Sequence, residues 1–221
     1  QVGGTVTVKS SDDGLNAKDW TLESSEGQGP GQQTKTVKAE AANVKNLNQA
    51  GEVKIVIDGG TLTVDAEGDG LDANGSIEIN GGTVVVNGPT SGANAALDYD
   101  DNGKLNGGTV LFVDNGEMTM GFGSDSSQAF LMASVQGTAG TTVEVVDSSG
   151  KTVASLKASK AFSTVLISSP EIKEGEKYTI KVGSNSTTAT ASKQAANIGG
   201  RSGQGGPGGG QPGQGGRPGG R

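Results

Sequence analysis

Gly59-Gly60-Thr61-Leu62-Thr63-Val64-Asp65-Ala66-Glu67-Gly68-Asp69-Gly70-Leu71-Asp72-Ala73 is the stretch that decides the fold, because residues 3–17 read almost the same. There the chain runs Gly3-Gly4-Thr5-Val6-Thr7-Val8-Lys9-Ser10-Ser11-Asp12-Asp13-Gly14-Leu15-Asn16-Ala17. In both copies the Asp-Gly-Leu triplet begins ten positions after the first glycine of Gly-Gly-Thr. Gly-Gly-Thr returns at residues 81–83 and 107–109, so the later copies start at 59, 81 and 107, with spacings of 22 and 26 residues. Self-similarity at such a period marks a repeat architecture. The length suits one turn of a parallel β-helix or one leucine-rich repeat, but the spaced leucines and asparagine ladder of the latter are absent.

After each glycine pair comes a short alternating run: Thr5–Val8, Thr61–Val64, Thr83–Val86 and Thr109–Phe112. Alternation with β-branched residues reads as strand. A second strand precedes two of the pairs, at Val53–Ile57 and Ser76–Ile79. The glycine pairs and the Asn-Gly and Asp-Gly steps are expected to supply positive φ at the corners. Turns stacked about 4.8 Å apart would align Leu15, Leu71 and Leu97 as an interior ladder and Thr5, Thr61, Thr83 and Thr109 as another. The same stacking sets Asp13 over Asp69, and Asn16 over Asp72 and Asp98. Like charges in adjacent stacked positions repel, the more so as water is excluded.

The repeats end near residue 124. Residues 1–124 are expected to form the turns, with an insertion loop at about 24–50 that has room for a helical turn in 35–48. Residues 125–184 change pattern. Thr142–Asp147 and Thr152–Leu156 around Ser148–Lys151 read as a hairpin, and Ser163–Pro170 and Lys177–Val182 as further strands. This piece is expected to cap the last turn, since open strand edges invite unwanted pairing. Residues 185–221 read as a linker followed by a tail rich in Gly, Gln, Pro and Arg that cannot bury a core.

Charge is uneven. The chain of 221 residues holds 17 Lys+Arg, 24 Asp+Glu, 40 Gly, no Cys and no His. All three arginines (Arg201, Arg217, Arg221) lie in the last 21 residues, and the nine acids between Asp58 and Asp101 have no Lys or Arg among them. Such a surface argues against nucleic acid and favours cations or neutral ligands. No stretch reads as a membrane span.

The run Gly68-Asp69-Gly70-Leu71-Asp72-Ala73-Asn74-Gly75-Ser76-Ile77-Glu78-Ile79-Asn80-Gly81-Gly82-Thr83, continued by Ala96-Leu97-Asp98-Tyr99-Asp100, resembles the clostridial-type carbohydrate-binding-domain-containing β-helix proteins. The segments 124–128, 147–151 and 168–178 are also similar to that family, so the resemblance spans residues 1 to about 183. It implies a right-handed parallel β-helix on an exported protein, extracellular or at the bacterial cell surface, with bound calcium and affinity for cell-wall polysaccharides such as cellulose or polygalacturonate.

Calcium takes six to eight oxygen ligands, and Asp12, Asp13, Asp69, Asp72, Asp98 and Asp100 fall in equivalent corners of neighbouring turns. Asp98-Tyr99-Asp100-Asp101-Asn102-Gly103 opens like a helix-loop-helix calcium loop, but its twelfth position is Thr109 and no helix flanks it. These acids also read as solvated turn residues. Trp20 and Tyr99 are the aromatic candidates for a sugar contact, and equally for core filling. Catalysis is not expected: lyases of this architecture typically use Arg, sometimes Lys, as base, whereas the body has no Arg and the chain no His, and the paired-carboxylate alternative needs two acids about 5–9 Å apart across a sugar. The rival reading is a structural subunit that self-associates into a homopolymer or filament through stacked turns and the basic tail. A Thr-x-Thr ice-binding face is discounted, because Val85 and Leu111 break the row.

Overall fold

The computed structural model describes residues 4–18, 44–46, 53–194 and 198–199. Among them there is no helix. The chain passes through three parallel sheets in a fixed order. The first circuit is β1 (Thr5–Ser10), β2 (Leu15–Ala17), β3 (Val44–Asn46) and β4 (Lys54–Ile57). The second is β5 (Thr61–Ala66), β6 (Leu71–Ala73) and β7 (Ser76–Ile79). The third is β8 (Thr83–Asn87), β9 (Leu97–Tyr99) and β10 (Asn102–Leu105), and the fourth opens with β11 (Thr109–Asp114) and β12 (Met118–Thr119). Strands β1, β5, β8 and β11 lie side by side in parallel, as do β2, β6 and β9, and β4, β7 and β10.

The register is the one the repeat predicts. Thr5, Thr61, Thr83 and Thr109 are aligned, and so are Leu15, Leu71 and Leu97. Period-two side-chain alternation then buries Leu62, Val64 and Ala66 of β5 and turns Thr61, Thr63 and Asp65 outward. The inner cluster joins Val6, Val8, Leu62, Val64, Leu71, Ile77, Ile79, Val84, Val86, Leu97 and Leu105. Each large aliphatic side chain buried there contributes about 1.5–3 kcal/mol.

The second glycine of each pair makes the corner. Gly82 and Gly108 have φ of 89° and 95°. A Cβ on Gly82 would stand 2.6 Å from the Gly60 carbonyl of the circuit before, and one on Gly108 2.7 Å from that of Gly82. The Asn-Gly steps at Gly75, Gly88 and Gly103 do not have positive φ. Close approach is what requires glycine there: a Cβ on Gly75 would meet the Val53 carbonyl at 2.0 Å. The residue before each pair builds a side-chain ladder. Asn80 Nδ2 donates to Asp58 Oδ1 at 2.9 Å, and Asn106 Nδ2 to Asn80 Oδ1 at 2.9 Å. A side-chain amide ladder thus exists where the sequence reading expected none, although the spaced leucines of a leucine-rich repeat are absent.

The C-terminal part consists of β13 (Leu131–Gly137), β14 (Thr142–Val146), β15 (Thr152–Lys157), β16 (Phe162–Ser168), β17 (Lys177–Val182), β18 (Asn185–Thr190) and β19 (Ile198–Gly199). β14 and β15 form the expected hairpin. β16 runs antiparallel along β11 and carries β13 on its other side, extending the first sheet to six strands. The sheet β15-β14-β17-β18 packs against the outer face of that extension. Val85, Leu111 and Val113 are therefore buried in a second core with Val143, Val145, Val165, Ile167 and Ile180. Two buried faces explain why β8 and β11 read as continuous apolar runs where β1 and β5 alternate.

Two expectations need correction. Residues 185–190 are not linker; β18 pairs with β17 along its whole length. Within the expected insertion loop, the described residues Val44–Asn46 are a strand that lies antiparallel on β4.

The last circuit is closed by the chain itself. In each earlier circuit the Thr backbone N–H of Gly-Gly-Thr donates to the glycine carbonyl below; at the end Gln128 Nε2 takes over, donating to Gly108 O at 2.8 Å. Gly123 N bonds Gly103 O, and Leu105 N donates to Ser126 Oγ, which covers the edge of β10. Phe112, Phe122 and Phe130 plug the end of the inner core in two edge-to-face contacts, with centroids 5.7 and 5.8 Å apart, the arrangement ring quadrupoles favour.

Candidate cation-binding corner

The corner that enters β2, β6 and β9 carries Asp-Gly-Leu in the first two circuits and Ala95-Ala96-Leu97 in the third. Asn16, Asp72 and Asp98 occupy one register row, one per circuit. Leu and Ala on either side point into the core, so Asp72 is fixed outward but half-buried. Asn16 Nδ2 bridges the first two circuits, donating to Asp72 Oδ2 at 2.5 Å and to Asp13 Oδ2 at 2.9 Å. Burial pushes the Asp72 carboxyl up to about 7, helped by the carboxylates of Asp13, Asp69, Asp98 and Asp100. A group ionised in water near pH 4 is thus half-protonated near neutrality in the fold.

The other acids have identifiable structural partners. Asp13 Oδ1 accepts from the backbone N–H of Asp69 at 2.9 Å, and Asp69 Oδ1 from that of Ala95 at 2.6 Å, so each staples its corner to the next. Asp100 Oδ2 accepts from Asn74 Nδ2 at 3.2 Å. Asp12 is exposed and contributes its backbone carbonyl, which accepts from Gly68 N. The corner therefore gathers Asp13, Asp69, Asp72, Asp98 and Asp100 around one row and leaves Asp12 at its margin. Among the described residues no three acidic side chains converge as a ready-made metal cage. The donor chemistry suits a hard cation, but a cation here would complete its shell with water or with oxygens of a ligand.

Tyr99 shares its register row with the buried Ala17 and Ala73, which turns it to the core side of β9. Its ring packs on Gly103 and its hydroxyl donates to Gly121 O at 2.6 Å. Burial, with Asp125 and Asp98 nearby, pushes the phenol up to about 12. Trp20 lies outside the described residues.

One compensating charge escaped sequence reasoning. Lys160, on the loop between β15 and β16, reaches back to Asp65 at 3.4 Å, Glu67 at 3.0 Å and the Ala66 carbonyl at 2.6 Å. Ser159 beside it bonds Asn87 and Asp65. The acidic run thus receives a lysine 93 residues away from Glu67, which no local charge count could reveal. Lys160 pairs with Asp65 and Glu67, not with Asp72.

Comparison with known proteins finds no family model, no curated protein and no solved structure that matches this chain. Among the described residues no helix is long and apolar enough to cross a membrane.

Proposed function

We propose that this chain is a non-catalytic, calcium-dependent polysaccharide-binding protein that works outside the cell or at a bacterial cell surface. The observation that carries the reading is the acidic row at the corner, with Asp72 held near neutrality by burial and four neighbouring carboxylates. A divalent cation there replaces repulsion between circuits with attraction, and its unfilled positions can accept uronate and hydroxyl oxygens of an acidic sugar chain. Calcium is then the bridge between two negative partners. The three parallel sheets are, in this reading, the faces of a right-handed β-helix, the hand that parallel crossovers overwhelmingly adopt; a crystal structure with left-handed crossovers would contradict it.

Retention on immobilised polygalacturonate tests the function. It is expected in millimolar calcium and lost in chelator, while Asp72→Asn/Asp98→Asn weakens it. Retention indifferent to calcium, or absent altogether, overturns the proposal. Accumulation of unsaturated or reducing-end products during the same incubation would overturn its non-catalytic part.

A further inference from the structure

We propose that the groove at the end of the first sheet, where β11 and β13 finish, is a binding site for one neutral sugar ring, separate from the acidic corner and independent of calcium.

The site begins with a row of the sheet. Phe112, Leu166 and Met132 are register partners on the face of the inner core. Two residues along each strand, and on the same face by strand alternation, the row is Asp114, Thr164 and Ser134. There the core stops and a groove of about 360 Å³ opens over Thr164 and Ser134, with Asn115 and Gly116 as one wall. The other wall is a bulge. The register of β13 on β16 shifts between Ser134 and Gly137, so Val135 and Gln136 meet Ser163 alone, and these three complete the lining. Bulges re-aim side chains in this way beside functional sites.

Thr164 decides the reading. It is 1% exposed, and its hydroxyl has no hydrogen-bond partner among the described residues. No polar side-chain atom sealed within the described fold lacks one. The Thr164 hydroxyl therefore occupies the small part of the residue that is open, and that part faces the groove. Gly116 keeps it reachable: at φ of 84°, a Cβ there would stand 2.6 Å from Thr164 Oγ1. A buried hydroxyl that the protein does not satisfy calls for a partner from outside.

The Asn115–Gly116 wall is fixed in advance. Asn115 Nδ2 donates to Gly92 O at 2.7 Å, Asn115 Oδ1 accepts from Glu117 N at 2.8 Å, and Gly116 N donates to Asp114 Oδ1 at 3.0 Å. Asp114 is itself buried and also accepts from Ala96 N and Thr119 Oγ1. A wall already ordered spares a ligand the cost of arranging it.

The lining selects the ligand. It offers the hydroxyls of Ser134, Ser163 and Thr164, the amide of Gln136, one apolar side chain in Val135, and no charge. An ion finds no counter-charge there, and an apolar molecule would leave the hydroxyls unpaired. Neighbouring ring hydroxyls both donate and accept, as Ser and Thr hydroxyls do. The volume is at the low end of small-molecule sites, roughly 300–1,000 Å³, which suits one ring rather than a length of chain.

Titration of the full chain with methyl β-glucoside, followed by amide NMR in chelator, tests the site with the acidic corner kept free of metal. Saturable shifts confined to residues 115–116, 134–136 and 163–164 are expected, with Kd on the order of 1 mM. Inorganic phosphate is expected to leave the same amides unmoved; matching shifts with phosphate would overturn the neutral class. Thr164→Val removes a hydroxyl that the protein does not bond, so it should keep the wild-type melting temperature and weaken the sugar about fivefold. Ser134→Ala, at an exposed residue, should weaken it similarly and decides even if Thr164→Val fails to fold. Silence at these amides, which includes the case in which another segment of this chain fills the groove, overturns the site. Shifts centred elsewhere, or shifts that both substitutions leave unchanged, overturn it as well. Calcium-dependent retention on polygalacturonate is decided by its own assay, so failure of one reading leaves the other standing.

Discussion

Replacing Asp72 with Asn should stabilise the metal-free protein at alkaline pH and leave it nearly unchanged in acid. In the fold this carboxyl is pushed from 3.8 to about 7, by burial first and then by Asp13, Asp69, Asp98 and Asp100. The folded chain therefore holds the Asp72 proton more tightly than the unfolded chain does. Between those two values the folded state binds more protons, so stability falls as pH rises and levels off above about 7. A displacement of that size sets a ceiling of about 4 kcal/mol on the penalty for ionising Asp72 in the fold. The side chain is only half-buried, and solvent screening brings the expected value to about 1–2 kcal/mol. An asparagine keeps an oxygen for the Asn16 amide, now 2.5 Å from Asp72 Oδ2, but carries no charge to repel its neighbours. Thermal melts in chelator from pH 4 to 9 would show it. The wild type loses stability across pH 4–7, the variant does not, and at pH 8 the variant melts roughly 3–6 °C higher. A variant that is less stable at pH 8, or that follows the wild-type pH profile, would refute the repulsion argument.

Gly82→Ala forces a side chain onto φ of 89° with its Cβ 2.6 Å from the Gly60 carbonyl, and should cost about 2–4 kcal/mol in a denaturant melt. Gly59→Ala, whose Cβ would meet nothing within 4 Å, should stay within about 0.5 kcal/mol of wild type; equal effects at the two sites would contradict the corner geometry. Lys160→Met strips the compensating charge from Asp65 and Glu67 and should cost about 1–2 kcal/mol, shrinking at high salt as screening weakens the lost attraction. A loss independent of salt would point to packing instead.

What the sequence made legible, it made legible through local spacing. Gly-Gly-Thr recurs four times, and a leucine followed by Asn or Asp recurs at Leu15, Leu71 and Leu97, so the rows Thr5–Thr61–Thr83–Thr109 and Asn16–Asp72–Asp98 can be aligned from the sequence alone. What escaped was non-local. Val85 and Leu111 read as breaks in a threonine row because the sheet that buries them begins only at Thr142, 57 residues after Val85 and 31 after Leu111. Lys160 was invisible for the same reason. β18 was missed because Asn185-Ser186-Thr187-Thr188-Ala189-Thr190 is polar, as suits a largely exposed strand with only one neighbour in its sheet. The Asn-Gly steps were over-read as turns: Gly75 and Gly103 are glycines because a carbonyl and the Tyr99 ring lie against them, and nothing in the dipeptide distinguishes that from positive φ. Tyr99, a candidate sugar contact by composition, faces the core because β9 keeps the register of Ala17 and Ala73.

The acidic row is the centre of the functional reading, and calorimetric titration of the metal-free chain with calcium at low ionic strength addresses it most directly. The account predicts saturable calcium binding, accompanied by proton release near pH 7 as Asp72 ionises, and loss of that binding in Asp72→Asn/Asp98→Asn. A flat titration, or an isotherm that the double substitution leaves unchanged, would contradict it.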